Sequence, residues 1–280
     1  MQLCRYRMRT GAVEAGVVDG EYVVPLRGRS LTEVLLADDV EGEARAAMDR
    51  ARAVALEAVE LLAPIEDQEV WAAGVTYKRS EEARRLESRD AGYFYELVYR
   101  APRPELFFKA TPARVVGPGG EVRIRSDTRW CVPEPELAVF VQPAGRVVAY
   151  TIGDDVSCRD IEGENPLYLP QAKVFIDCCA LGPVLVTSDE FEPWSEHSMQ
   201  MEIWRAGERV FRGSTSFAQM ARSPQALAEW LLRDQRFAHG VVLLTGTGIV
   251  PPDDFCLRPG DRIAITVDGI GTLQTGVYQG

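Results

Sequence analysis

Two glutamates placed two residues apart are the clearest chemical signal in the chain. Glu134 and Glu136 each follow a proline, and an apolar run begins directly after them. In an extended chain, side chains two residues apart point to the same face, so the two carboxylates are expected to lie side by side. The prolines restrict the backbone and make the start of this strand stiff. Two adjacent carboxylates repel each other unless a cation or a proton lies between them.

Asp155 is expected to place a third carboxylate beside Glu134 and Glu136. A hairpin with arms at 137–141 and 147–152 would return Asp155 to the side of Glu134 and Glu136. Carboxylate oxygens suit a hard divalent cation, and Mg²⁺ is typically held by a few carboxylates and waters. Mn²⁺ accepts the same ligands. The alternative is an acidic strand edge with a solvated turn, because acidic pairs are common on protein surfaces.

Four strings of residues resemble the fumarylacetoacetate hydrolase superfamily and occur in that family's order between about residues 71 and 280. They are Pro133-Glu134-Pro135-Glu136-Leu137, Asp155-Val156-Ser157-Cys158-Arg159-Asp160, Gln171-Ala172-Lys173 and Leu244-Thr245-Gly246-Thr247-Gly248. The resemblance implies a metal ion, Mg²⁺ with Mn²⁺ as the alternative, bound by Glu134, Glu136 and Asp155. It also implies a mixed β-roll, hence a β-rich α+β fold, with a small N-terminal α/β domain at 1–66 and a catalytic domain at 67–280.

Three further strings resemble the branch of 2-keto-3-deoxy-pentonate dehydratases, whose substrates derive from arabinonate or xylonate. These strings are Gly74-Val75-Thr76-Tyr77-Lys78-Arg79-Ser80, Arg103-Pro104-Glu105-Leu106-Phe107-Phe108-Lys109 and Glu164-Asn165-Pro166-Leu167-Tyr168-Leu169-Pro170-Gln171. The resemblance implies a dehydration to 2-oxoglutarate semialdehyde through a metal-bound enolate. In that reaction Glu105 would do acid/base work and Lys173 would stabilise the enolate. The residues expected to bind substrate are Arg79, Ser80, Lys109 and Thr247.

The position of Ser80 separates this chain from the hydrolases of the superfamily. Those hydrolases carry a histidine there, which works with a glutamate to activate water. The chain has only His197 and His239, both outside the matching strings. Acylpyruvate hydrolysis is therefore disfavoured. It stays a rival function beside oxaloacetate decarboxylation and a non-catalytic metal-binding assembly protein.

Composition bounds the remaining possibilities. The net charge of −11 argues against nucleic acid and anionic membranes as partners. Six cysteines show no C-x-x-C spacing, and no leader or membrane-spanning run is visible, so a reduced, cytoplasmic protein is expected. The superfamily resemblance further implies a homodimer or homotetramer.

The first 65 residues carry no visible chemistry. Short strands are predicted at 2–8 and 13–25, with a hairpin turn at Asp19-Gly20. Ser30 is a predicted helix cap. Residues 43–62, rich in Ala, Glu and Arg, are predicted to form one long helix that Pro64 ends.

Overall fold

A computed structural model describes residues 1–77 and 97–280 of the protein. Strands dominate this part of the chain, and the helices are short, which confirms the β-rich α+β class. The strands are β1 Gln2–Met8, β2 Val13–Asp19, β3 Tyr22–Pro25, β4 Val54–Ala55, β5 Val59–Leu62, β6 Glu69–Gly74, β7 Glu105–Ala110, β8 Val115–Val116, β9 Glu121–Ile124, β10 Cys131–Val132, β11 Pro135–Val141, β12 Val147–Asp155, β13 Ser157–Cys158, β14 Cys179–Thr187, β15 Ser198–Arg205, β16 Glu208–Ser216, β17 Val241–Thr247, β18 Arg262–Val267 and β19 Gly271–Gln279. The helices are α1 Leu31–Leu35, α2 Val40–Ala47, α3 Arg159–Glu164, α4 Leu169–Lys173, α5 Ser188–Phe191 and α6 Pro224–Leu231.

One large mixed sheet organises the molecule. Its strands lie in the order β4-β3-β2-β1-β14-β12-β11-β17-β6-β7, with β5 pairing with β1 and β8 with β14. A second sheet has the order β16-β15-β18-β19-β9, and β10 pairs with β13 as a small ribbon. The central strand β11 is buried at every residue, as expected for a strand covered on both faces.

The predicted hairpin is present and returns the third carboxylate as expected. β11 and β12 pair antiparallel, with Glu136 opposite Gly153 and Pro135 opposite Asp154. Past the end of this ladder, the Asp155 amide donates to the Glu134 carbonyl at 2.9 Å. The hairpin therefore carries Glu134, Glu136 and Asp155 at one end of the central strands.

The N-terminal residues differ in part from the sequence prediction. The strands at 2–8 and 13–25 and the Ser30 cap are confirmed, the cap as a full capping box with Glu33. The long helix predicted at 43–62 is wrong. α2 ends at Ala47, and β5 instead pairs with β1, with Leu62 opposite Arg5. Pairing with a distant strand outweighs local helix propensity here.

β1 also pairs with β14, so the N-terminal strands continue the sheet that carries the hairpin. The domain boundary between residues 66 and 67 stays a prediction. In the described ranges, no helix is both long and apolar enough to cross a membrane.

Candidate active site

Glu134, Glu136 and Asp155 form a buried carboxylate cluster. Each offers one oxygen, and these three oxygens lie within 4.8 Å of one another. The three residues are at most 2% exposed. Among the residues that the structure describes, this is the only such group of three or more acidic, histidine or cysteine side chains.

Lys173 places its ammonium between two of these carboxylates. Its Nζ lies 2.7 Å from Oε2 of Glu134 and 3.1 Å from Oδ2 of Asp155, and it also donates to Oγ of Ser157 at 2.6 Å. α4 ends at Lys173, and the side chain is 2% exposed. The ring of Phe107 lies 5.6 Å from the ammonium. A buried ammonium held in this way is a fixed positive charge at the edge of the carboxylate cluster.

Lys109 approaches Asp155 from the buried side. Its Nζ donates to the carbonyl oxygens of Val156 at 3.0 Å and Lys173 at 2.5 Å. It also forms an ion pair with Asp155, in which Nζ lies 2.5 Å from Oδ1. Burial, the largest single influence, acts to lower the pKa of Lys109, but Asp155 together with Cys178 and Cys179 outweighs it, and the pKa is raised. The ammonium is therefore charged and oriented toward Asp155.

Arg159 adds a third positive charge beside the cluster. Its Nη2 donates to Oε1 of Glu134 at 2.9 Å, and the side chain is 3% exposed. Arg159 is the first residue of α3 and directly follows β13. From this position its guanidinium extends back to the start of β11. Glu134 is thus held by Arg159 on one oxygen and by Lys173 on the other.

Glu136 is held by backbone instead. The Gly246 amide donates to its Oε2 at 2.5 Å. Gly246 has φ +94, and a Cβ there would lie 2.0 Å from Oγ1 of Thr76, so only glycine fits this position. Burial, together with the charges of Asp155 and Glu134, raises the pKa of Glu136 well above its ordinary value. A third carboxylate in this cluster is costly to ionise without a further cation.

The residues present fit a hard divalent cation. The donor set is entirely carboxylate oxygen, the set preferred by Mg²⁺ and Mn²⁺. In the described part of the chain, Oδ1 of Asp155 is buried and accepts no hydrogen bond. The Lys109 ammonium lies 2.5 Å from this oxygen, and a cation bound by the three carboxylates would add to that compensation and offset the repulsion that raises the pKa of Glu136.

A small cavity opens beside the cluster. Its lining includes Glu105, Phe107, Lys173, Thr247 and Glu162 in addition to the three carboxylates. Glu105 begins β7 and lies opposite Gly74 of β6. A Cβ at Gly74 would lie 2.0 Å from Oε2 of Glu105, so the missing side chain at position 74 makes the space that this carboxylate fills.

Comparison with known proteins places the chain in a family. Residues 69–278 match the profile described as fumarylacetoacetate (FAA) hydrolase, C-terminal. The chain belongs to the fumarylacetoacetate hydrolase family. Its fold matches as well: a solved structure of 2-keto-3-deoxy-D-arabinonate dehydratase complexed with magnesium and 2,5-dioxopentanoate has a TM-score of 0.89 at 36% identity, covering 100% of this chain and 99% of that one.

Two curated relatives are similar to this chain over most of its length. A probable 2-keto-3-deoxyxylonate dehydratase of Haloferax volcanii is 48% identical over 76% of this chain and 73% of its own length. A 2-dehydro-3-deoxy-D-arabinonate dehydratase of Saccharolobus solfataricus is 45% identical over 78% of this chain and 74% of its own length.

Most residues predicted for the site of this fumarylacetoacetate hydrolase family member come together in space. Glu105, Lys173 and Thr247 line the cavity with the carboxylate cluster. Lys109 lies behind Asp155 and is fully buried. Arg79 and Ser80 fall outside the described residues. The individual roles assigned to all these residues stay predictions.

Sequence reasoning missed four residues that shape the site. Arg159 lies inside the Asp155–Asp160 string, Asp154 directly precedes it, and Glu162 follows it by two positions. Gly74 opens another of the matching strings. Asp154 is fully buried, and its Oδ1 accepts from the Glu134 amide at 2.9 Å. Their place in or beside matching strings was the available signal, but their contacts depend on the packing of separate segments.

Proposed function

We propose that the protein removes water from a 2-keto-3-deoxy-pentonate to give 2-oxoglutarate semialdehyde, also called 2,5-dioxopentanoate. The observation that carries the proposal is a cavity in which a buried carboxylate triad and Lys173 face Glu105. That cavity lies in a chain 45–48% identical to pentonate dehydratases over about three quarters of its length. The magnesium and 2,5-dioxopentanoate bound in the similar solved dehydratase structure agree with this product and cofactor.

The reaction requires one acid and one base on neighbouring carbons. A proton leaves C3, which is acidified by the 2-keto group, and hydroxide leaves C4 with a second proton as water. The remaining C3=C4 alkene then becomes the aldehyde when a C5 proton is lost, C3 is protonated and the resulting enol tautomerises. Mg²⁺ held by Glu134, Glu136 and Asp155 would supply a Lewis acid that polarises the 2-keto group.

Lys173 is proposed to stabilise negative charge as it develops on the substrate. Its ammonium is buried, is oriented by Glu134 and Asp155, and borders the cavity. A preoriented charge in a site that excludes water stabilises a transition state far more than the same charge in water. The charges of Lys109 and Arg159 lie behind the carboxylates, which supports a role in orienting Asp155 and Glu134.

Glu105 is proposed to move the protons. Its carboxylate reaches the cavity over Gly74, across from the carboxylate triad. A carboxylate in a small cavity can exchange protons with carbon and hydroxyl groups of a bound sugar acid. Thr247, 6% exposed at the end of β17, is proposed to orient the substrate carboxylate. Arg79 and Ser80 are proposed to bind the hydroxyl-bearing end.

The test is turnover of 2-keto-3-deoxy-arabinonate and 2-keto-3-deoxy-xylonate, each with Mg²⁺ and with EDTA, followed by formation of the semialdehyde. We expect metal-dependent turnover that Glu134→Gln abolishes. Glu60→Gln is the matched control, because Glu60 is 57% exposed and pairs only with an exposed arginine among the described residues. Turnover of an acylpyruvate or of oxaloacetate, without turnover of either pentonate, would show that the same site catalyses a different reaction.

The assembly and the compartment form part of the proposal. We propose a homodimer or homotetramer in the cytoplasm, where free thiols such as those of the six cysteines are normally held reduced. Sedimentation analysis of the purified protein tests the oligomeric state.

A further inference from the structure

Two cysteines face each other directly behind the carboxylate cluster. Cys131 of β10 pairs with Cys158 of β13, so the two lie directly opposite in an antiparallel ribbon. The first precedes Glu134 by three residues, and the second follows Asp155 by three. The ribbon thus joins the two segments that carry the metal-binding carboxylates.

The hydrogen bonds of this ribbon identify the type of pair. The Arg159 amide donates to the Trp130 carbonyl at 2.8 Å, while the amide and carbonyl of Cys131 bond to residues 256 and 257. Cys131 and Cys158 therefore form a non-hydrogen-bonded pair, in which Cα atoms approach to about 4.5 Å and side chains are closest. That separation lies inside the range that a disulfide spans.

The two thiols already contact each other. The hydrogen bond from the Cys131 thiol lowers the pKa of Cys158, and the same bond raises the pKa of Cys131. This contact favours ionisation of Cys158 over ionisation of Cys131. Thiolate is the form of cysteine that attacks another sulfur.

A third cysteine connects this buried pair to solvent. Cys131 and Cys158 are both 0% exposed, but Cys256 is partly exposed. The Cys131 amide donates to the Cys256 sulfur at 3.3 Å, so the two residues touch. An oxidant can reach Cys256 without opening the fold.

We propose that Cys131 and Cys158 form a reversible disulfide, and that Cys256 relays oxidation to them from a hydroperoxide such as hydrogen peroxide. The Cys256 thiolate takes one oxygen atom and becomes a sulfenic acid, while the peroxide leaves as hydroxide. The Cys131 thiol gives its proton to that oxygen, which leaves as water, and the Cys131 sulfur joins Cys256 in a disulfide. Cys158 then attacks the Cys131 sulfur and releases the Cys256 thiolate. In total, two thiols and one hydrogen peroxide give one disulfide and two waters.

The test treats the intact, folded protein with hydrogen peroxide, blocks the remaining thiols with an alkylating agent and analyses the digested peptides. We expect two of the six thiols to disappear together, in one peptide pair that links Cys131 to Cys158 and separates on reduction. Cys256→Ser should slow this loss at least roughly tenfold, since the exposed point of attack is removed. Cys4→Ser is the matched control, because Cys4 is buried on another strand and should leave the rate unchanged.

A second variant tests the relay without relying on Cys256→Ser to fold. In Cys158→Ser the last exchange cannot occur, so the Cys131–Cys256 disulfide should accumulate. Survival of all six thiols in the native protein, a different linked pair, or unchanged kinetics in a folded Cys256→Ser would each overturn the proposal.

Discussion

Nζ of Lys109 lies 2.5 Å from Oδ1 of Asp155, and neither side chain is more than 1% exposed. Removing one member of a buried ion pair leaves the other charge without compensation, which typically lowers the free energy of unfolding by about 3–5 kcal/mol. Asp155 keeps the Lys173 ammonium at 3.1 Å, so we expect Lys109→Met to destabilise the metal-free protein by about 3 kcal/mol, the lower end of this range, measured by urea unfolding.

Mg²⁺ should recover part of that loss, because a ligand that binds only the folded state stabilises it. Arg7→Gln is the control, since the Arg7–Glu60 pair is exposed and should contribute less than about 1 kcal/mol. A Lys109→Met protein as stable as the parent would contradict the importance of this pair.

Lys173 should affect metal affinity and turnover in opposite directions. Its ammonium contacts Glu134 and Asp155 and therefore competes electrostatically with a cation on the same carboxylates. We expect Lys173→Met to bind Mg²⁺ about tenfold more tightly while pentonate turnover falls roughly 100-fold or more. Calorimetric titration and initial rates measure the two effects. If the substitution instead disrupted the whole site, Mg²⁺ affinity and pentonate turnover would both fall.

Asp154 should make the stability of the metal-free protein fall with rising pH. Burial, followed by the charge of Asp155, raises the pKa of Asp154 from 3.8 to about 7. Between these values the folded state holds a proton that the unfolded state releases, so the free energy of unfolding decreases as pH rises from about 4 to 7, by up to about 4 kcal/mol.

Asp154→Asn keeps the oxygen that accepts from the Glu134 amide and removes the titration. The difference between the two proteins in urea midpoint, measured in EDTA at about pH 5 and about pH 8, isolates Asp154 from the other buried acids. Equal pH slopes in both proteins would show that Asp154 does not titrate in this window.

The substitution Gly74→Ala should lower turnover without changing Mg²⁺ affinity. The Cβ of Gly74→Ala would overlap Oε2 of Glu105, which must then move. A displacement of about 1 Å can cost roughly 100-fold in rate, so turnover should fall by that order. Mg²⁺ affinity should not change, because the three triad residues lie outside β6 and β7.

Gly163→Ala serves as the comparison for Gly74→Ala. A Cβ at Gly163 meets nothing within 4 Å, and this glycine lies in α3. Its turnover should stay within about twofold of the parent, as is usual for an open surface position. Equal turnover in both alanine variants would remove Glu105 from its proposed role.

The carboxylate hairpin could be predicted from sequence because its determinants are local. The alternation, the prolines and one turn fix Glu134, Glu136 and Asp155 within about two dozen residues. The Gly246 amide on Glu136 could not be predicted in this way, since 110 residues separate the two and only the pairing of β11 with β17 joins them. The prediction of a helix at 43–62 is wrong for the same reason, because the strand conformation of β5 depends on its pairing with β1.

The position of β11 and β12 in the middle of the large sheet has a consequence for how the ion enters. Strands so placed, buried along almost their whole length, are expected to exchange their amide hydrogens mainly through unfolding of the whole molecule. The three carboxylates are therefore already assembled before any cation arrives. Ion capture requires no ordering of the chain, and chelation should leave the amide protection of β11 and β12 intact.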